Sequence, residues 1–157
     1  MKKKLFLPLL SCLFLSSCTL LFEKEPLDPE DQAYLDNVQS FPYINKYDTT
    51  LAFRIPKEEA EDAWGRIQVF IEKWSDMKVS RITNYVIETY MPPKTGEGRY
   101  GYKAIRTPMG NEVRFDVTCE SGFRYASGGA NTNAHILAYY SKTGDLRAKF
   151  ISYYGKR

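Results

Sequence analysis

Apolar residues recur at three- and four-residue spacing over 56–74. Ala60, Ala63, Trp64, Ile67, Phe70, Ile71 and Trp74 form one stripe, and Glu58, Glu59, Glu61, Asp62, Arg66, Gln68, Glu72 and Lys73 fill the other side. This is the period of an amphipathic helix, and the early acids suit the positive end of its dipole. Asp28-Pro29-Glu30-Asp31 predicts a second, shorter start: a capping aspartate, a proline at the first helical position and early acids, with Tyr34, Leu35 and Val38 on the buried side. Most of the remainder has the patterning of strands. Residues 50–55 form a short strand before the long helix. Residues 79–90 are rich in branched and aromatic side chains and stop at Pro92-Pro93, and 99–107 follow after a loop. Pro108-Met109-Gly110-Asn111 predicts a type II turn. Over 112–119, Val113, Phe115, Val117 and Cys119 alternate with Glu112, Arg114, Asp116 and Thr118. Residues 41–47 and 120–132 are expected as loops. A last hairpin is expected from 133–140 and 146–154 around Lys142-Thr143-Gly144-Asp145.

Short connections require antiparallel neighbours, and a strongly amphipathic helix needs an apolar sheet face to cover. The expected fold is therefore α+β and two-layered, one long amphipathic helix on an antiparallel sheet of five to six strands. That order resembles the helix-grip modules of some lipoproteins that assist outer-membrane protein assembly. The likeness is one of architecture and assigns no activity.

The amino terminus has a different pattern. Lys2, Lys3 and Lys4 precede an apolar run over 5–15, interrupted by Pro8, Ser11 and Cys12, and Ser16 and Ser17 lead to Cys18. The run is about half the ~20 residues a membrane-spanning helix needs, so it suits a secretory signal and not a permanent span. Leu15-Ser16-Ser17-Cys18 resembles the lipobox of bacterial lipoproteins: an aliphatic residue, two small ones and a cysteine. That resemblance implies a signal over 1–17, cleavage before Cys18 and a diacylglycerol on its thiol, usually followed by acylation (palmitate or similar) of the new amine. Two or more chains anchor stably in a membrane. Thr19, where an aspartate would imply inner-membrane retention, implies the outer membrane. Residues 18–27 would then be a lipidated tether and 28–157 a single cell-envelope domain.

Processing changes the charge. The full chain carries 22 Lys plus Arg against 19 Asp plus Glu, a net +3. Losing the three signal lysines leaves 19 against 19, which removes the compositional case for a nucleic-acid partner. Of three cysteines, Cys12 leaves with the signal and Cys18 takes lipid. Cys119 is then alone, cannot form an intramolecular disulfide, and is expected in the core as a small hydrophobe.

Signals for chemistry are sparse. His135 is the one histidine, so a multi-histidine metal site is excluded and no cofactor or metal is expected. Nucleophile-elbow, zinc-protease, paired-cysteine and Walker sequences do not occur. His135 is expected as a half-buried strand residue, and Glu88 and Asp116 as outward strand residues that could form a carboxylate pair. Ser127-Gly128-Gly129-Ala130-Asn131-Thr132-Asn133 is expected as a flexible loop without the helix and Lys-Ser/Thr that follow a phosphate cradle, and as a candidate mobile binding edge. The twelve tyrosines are the unusual abundance. Tyr100, Tyr102 and Tyr125, near Arg99, Lys103 and Arg124, are candidates for a protein or glycan binding surface, with sheet packing as the alternative, as it is for Tyr139, Tyr140, Tyr153 and Tyr154. The expected role is a non-enzymatic, lipid-tethered domain that binds an envelope partner or serves structurally. The alternative is a small hydrolase-like enzyme using His135 with a carboxylate or Cys119.

Overall fold

The computed structural model describes residues 26–40, 51–94, 99–122 and 127–151. Among the described residues the fold is two-layer α+β: three α-helices with one five-stranded antiparallel sheet. Helix α1 spans Pro29–Gln39 and begins as its sequence demands. The Asp28 carboxylate accepts from the Asp31 backbone N–H at 2.8 Å, and Pro29 occupies the first turn.

Strand β1 (Leu51–Pro56) turns Leu51, Phe53 and Ile55 inward, and a 3-10 turn over Lys57–Glu59 leads into helix α2 (Ala60–Trp74). The stripe of α2 is buried from Ala60 to Ile71. Its end is fastened to the sheet. Asp76 donates its N–H to Tyr100 O at 3.1 Å, and its carboxylate accepts from Tyr100 N–H at 2.9 Å.

The expected single strand over 79–90 is instead a hairpin of β2 (Val79–Ile82) and β3 (Val86–Thr89). Thr83 makes the turn, its hydroxyl oxygen accepting from Tyr85 N–H at 3.2 Å and Val86 N–H at 2.9 Å. Turn-forming side chains of this kind offer the backbone an alternative to continued strand. Strands β4 (Tyr100–Met109) and β5 (Glu112–Ser121) form the long central hairpin. Its turn is Gly110-Asn111, with Gly110 at φ 70° as first central residue, so the bend has the primed hand that suits twisted strands and not the type II form. Pro108 lies within β4, opposite Val113. The sheet order is β1-β5-β4-β3-β2.

Among the described residues the expected terminal hairpin does not form, and 152–154 of its second strand lie outside them. Ser127–Thr143 forms helix α3, and a 3-10 turn over Ala148–Phe150 follows. Ala134, Ile136, Ala138 and Tyr140 do alternate, but Ala130, Asn133, Ala134, Leu137, Ala138 and Ser141 recur at helical spacing, and all six are buried. Helix α3 packs on β5 and β1 while α1 and α2 flank it, so residues 133–138 are buried on every side. Burial all round erases the polar face that marks a surface helix. Gly144, the expected hairpin glycine, caps α3 at φ 77° and donates its N–H to Tyr140 O at 2.8 Å.

Phe115 of β5 sits at the centre of the core, its ring 5.5 Å from Phe53 and 6.3 Å from Trp64. Cys119 is buried on the same inward face, as its alternation predicted. The opposite face of the sheet carries Arg54, Glu88, Lys103, Arg114, Asp116, Thr118 and Glu120 and is not covered by the helices.

Candidate functional site

Among the described residues, one hollow lies between α1 and α3. It is lined by Leu35, Val38, Gln39, Asn131, Thr132 and His135, with a volume of about 350 Å³. His135 is on a helix and not a strand. It is 3% exposed, and its Nδ1 lies 3.2 Å from Asn131 O one turn earlier. Burial pushes the imidazole pKa below its ordinary 6.5. The described lining supplies no carboxylate, thiol or second base with which an imidazole could share a proton.

Two shifted groups tie this end of the molecule to pH. The Asp31 carboxylate is held below its ordinary 3.8, first by the hydrogen bond from Lys149 and then, against a burial cost, by the bond from Arg147 Nη1 at 2.5 Å. Its lowered pKa stabilises the fold above pH 3.8, and that stabilisation is lost as pH falls through the lower folded value. His135 is also depressed, but it is a base: the unfolded chain takes up its proton near pH 6.5 while the folded chain resists. Its stabilising contribution is complete above pH 6.5 and declines below it. Urea unfolding is therefore expected to show two separate losses on acidification. His135→Gln should flatten the one between pH 7 and 5, and Asp31→Asn the one below pH 4. A stability that rises from pH 7 to 5 would contradict the assignment.

The structure separates most of the other candidates. Tyr100 and Tyr102 are each 3% exposed and face inward, so neither offers its ring to a partner as a binding surface requires. The Tyr102 ring packs edge-on against Phe70 at 5.6 Å. Its hydroxyl lies beside Cys119 and Asn133 without hydrogen-bond geometry to either, and burial above all pushes its pKa well above 10. Burial also pushes the Cys119 thiol far above its usual range. A bulky thiol reagent is expected to leave Cys119 unlabelled in the native protein and to label it in concentrated urea; rapid native labelling would revive it as a nucleophile. Tyr125, Tyr153, Tyr154 and Cys18 lie outside the described residues. Tyr139 packs edge-on against Tyr34 at 5.4 Å. Glu88 and Asp116 share the open face, but β4 runs between their strands, placing them roughly 10 Å apart or more. Each is occupied by cations: Glu88 by Arg81 at 3.1 Å and Lys103 at 3.8 Å, Asp116 by Arg114 at 2.6 Å. Gly128 and Gly129 belong to the first turn of α3 and not to a loop.

Another hollow is a groove of about 370 Å³ on the open face. Its construction begins at Thr89, where β3 parts from β4. The Thr89 hydroxyl replaces the lost ladder, accepting from Tyr102 N–H at 2.9 Å. The chain then crosses β4 and β5 as a strap, Tyr90 to Pro93. A Cβ on Gly101 would lie 2.9 Å from Thr89 Oγ1 and 3.0 Å from Tyr90 O, and one on Gly122 would lie 2.2 Å from Pro93 O. Both glycines are bare because the strap runs against them. One rim carries Tyr90 (60% exposed) and Met91 (67% exposed). Ser80, Glu88, Gly101, Lys103, Thr118 and Glu120 line the rest. Tyr90 and Met91 were not among the sequence candidates. The available signal was the pairing of Pro92-Pro93 with a glycine inside the expected strand 99–107, Gly101, which marks a close backbone approach.

Comparison with known protein families, with characterised proteins and with solved structures gives no match for this chain. Among the described residues no three His, Cys, Asp or Glu side chains converge as a metal site, and no helix is long and apolar enough to cross a membrane.

Proposed function

We propose that this chain is a lipid-anchored cell-envelope protein whose domain binds a partner on the open face of its sheet and catalyses no reaction. The observation that carries the binding site is the groove under the 90–93 strap. Two large side chains stand exposed there, beside charges fixed on rigid strands. Concave surfaces with a few convergent polar groups on rigid elements are the usual setting for ligand capture. The anchoring rests on the lipobox-like Leu15-Ser16-Ser17-Cys18 and the basic and apolar regions before it. A tether of about ten residues reaches at most ~35 Å and confines the domain near other envelope components.

Two measurements test this. Mass spectrometry of the mature amino terminus should find Cys18 with a diacylglycerol and an acylated amine, and Cys18→Ala should leave an unprocessed or released chain. A start elsewhere, or an unmodified Cys18, refutes the anchor. For the binding face, a photo-crosslinking amino acid in place of Met91 should give an adduct in intact cells. The same group in place of Val69, exposed on α2, should not. Equal adducts from both positions would dissociate binding from the groove.

A further inference from the structure

We infer that the outer edge of β1 pairs with β1 of a second copy, joining two five-stranded sheets into one across a two-fold axis at Phe53. The inference is independent of the groove, whose lining includes no residue of β1. A sheet in the order β1-β5-β4-β3-β2 has two edge strands, and an edge presents backbone N–H and C=O groups to any chain able to pair with them. The two edges are built differently. Strand β2 is four residues long, its register shifts between Val79 and Arg81, and Lys78 and Arg81 stand exposed along it. Short length, a bulge and basic side chains are devices that keep an edge from pairing. Strand β1 has six residues in unbroken register with β5. Its one charge, Arg54, is already paired with Glu112 at 3.4 Å.

One bond fixes which groups of β1 face outward. Lys57 donates its N–H to Asn111 O at 2.9 Å, continuing the β1–β5 register. In an antiparallel pair alternate residues bond across to the neighbour. Leu51, Phe53 and Ile55 therefore bond β5, and the N–H and C=O groups of Ala52 and Arg54 point away from it. Pro56 fits that parity, because its missing N–H falls on the outward side, where a strand tolerates proline. Among the described residues no strand takes these outward groups.

The edge is complementary to itself. A two-fold axis at Phe53 sets Ala52 of each copy opposite Arg54 of the other, which uses the outward N–H and C=O of both residues in both copies. Each open-face row across the junction then runs from Asp116 and Ala52 of one copy to Arg54 and Arg114 of the other. The small Ala52 leaves the long Arg54 side chain room to lean toward Asp116. Moving the axis by one residue, to Arg54, would instead line up Arg54 and Arg114 of both copies in a single row of like charges, which destabilises a sheet. One register is thus favoured, as an isologous interface requires. The helix layers have room as well. Helix α3 packs mainly on β5. The β5 strands of two copies would lie about 14 Å apart, beyond the roughly 8–10 Å at which packed helices meet.

The test uses the full chain in non-ionic detergent. Sedimentation should show a monomer–dimer equilibrium. Residue-resolved hydrogen exchange at the Ala52 and Arg54 amides should slow about tenfold or more as the protein concentration rises through it. The Ile82 amide, which points outward from the bulged edge, should exchange fast throughout. Ala52→Pro removes one outward donor per copy and no bond to β5. It should keep the parent's urea midpoint and weaken dimerisation about tenfold or more. Ile82→Pro, on the other edge, should leave dimerisation unchanged. Fast exchange at Ala52 and Arg54 at every concentration overturns the inference, and so does slow exchange in a chain that stays monomeric. A dimer that Ala52→Pro leaves as tight as the parent's, or that Ile82→Pro weakens equally, overturns it too. Should Ala52→Pro fail to fold, exchange in the parent chain decides the matter alone.

Discussion

Replacing Ile67 by Ala is expected to lower the unfolding free energy by ~2–5 kcal/mol. Ile67 is fully buried at the middle of the α2 stripe, with Trp64, Phe70 and Ile71 buried around it. The substitution removes three carbons, worth about 2.5 kcal/mol of transfer free energy at ~0.8 kcal/mol per methylene. The remainder comes from the cavity. Its walls cannot collapse freely, because α2 is fixed at both ends. At the start, Arg106 of β4 lies 5.2 Å from the Trp64 ring and bonds Glu61 at 2.8 Å; at the finish, Asp76 is bonded to Tyr100. Val69→Ala on the exposed side of the same helix should change stability by no more than about 0.5 kcal/mol. Urea unfolding followed by tryptophan fluorescence measures both, with an unchanged slope showing that the denatured state is unaffected. An Ile67→Ala loss below half a kcal/mol would mean that the stripe faces solvent or a partner.

That stripe was readable because α2 has water on one side and core on the other, so its burial writes a period into the sequence. The same holds for β5, where Val113, Phe115, Val117 and Cys119 alternate against a polar face. Helix α3 was not readable for the complementary reason. Sheet and helices surround it, and small residues such as Ala130, Ala134 and Ala138 fit both a close-packed helix and a short strand. Gly144 was recognised as a bend, but a positive-φ glycine ends a helix as readily as it turns a hairpin. The site was hidden differently. Tyr100 and Tyr102 stood out because basic residues flank them in sequence, yet strand alternation sends the flanking Arg99 and Lys103 to the opposite face from the rings. Tyr90 and Met91 gained their exposure from the strap's path across two strands, which depends on long-range pairing and not on local pattern.

That path gives the second large effect: Gly122→Ala is expected to destabilise the fold by at least ~1–3 kcal/mol, the usual cost of overpacking. The new Cβ would lie 2.2 Å from Pro93 O, far inside contact distance, and the obstacle is backbone that no rotamer can relieve. Pro93 is itself locked by its ring and preceded by Pro92, so the strap cannot bend locally to make room. Either the strap lifts from β5 or the end of the strand shifts. The sheet itself has no other reason to reject the residue, because no positive φ is required at Gly122. Gly65→Ala is the matched control. That glycine is inside α2 with nothing within 4 Å of the added carbon, so the change should stabilise by about 0.5–1 kcal/mol through helix propensity. Opposite signs for one methyl group, read as shifts in the urea midpoint, would locate the strap where the groove needs it. Because the strap carries Tyr90 and Met91, Gly122→Ala should also reduce the Met91 photo-adduct even at temperatures where the domain stays folded. A Gly122→Ala protein as stable as the parent would mean that the 90–93 segment does not lie against β5, and the groove would lose its wall.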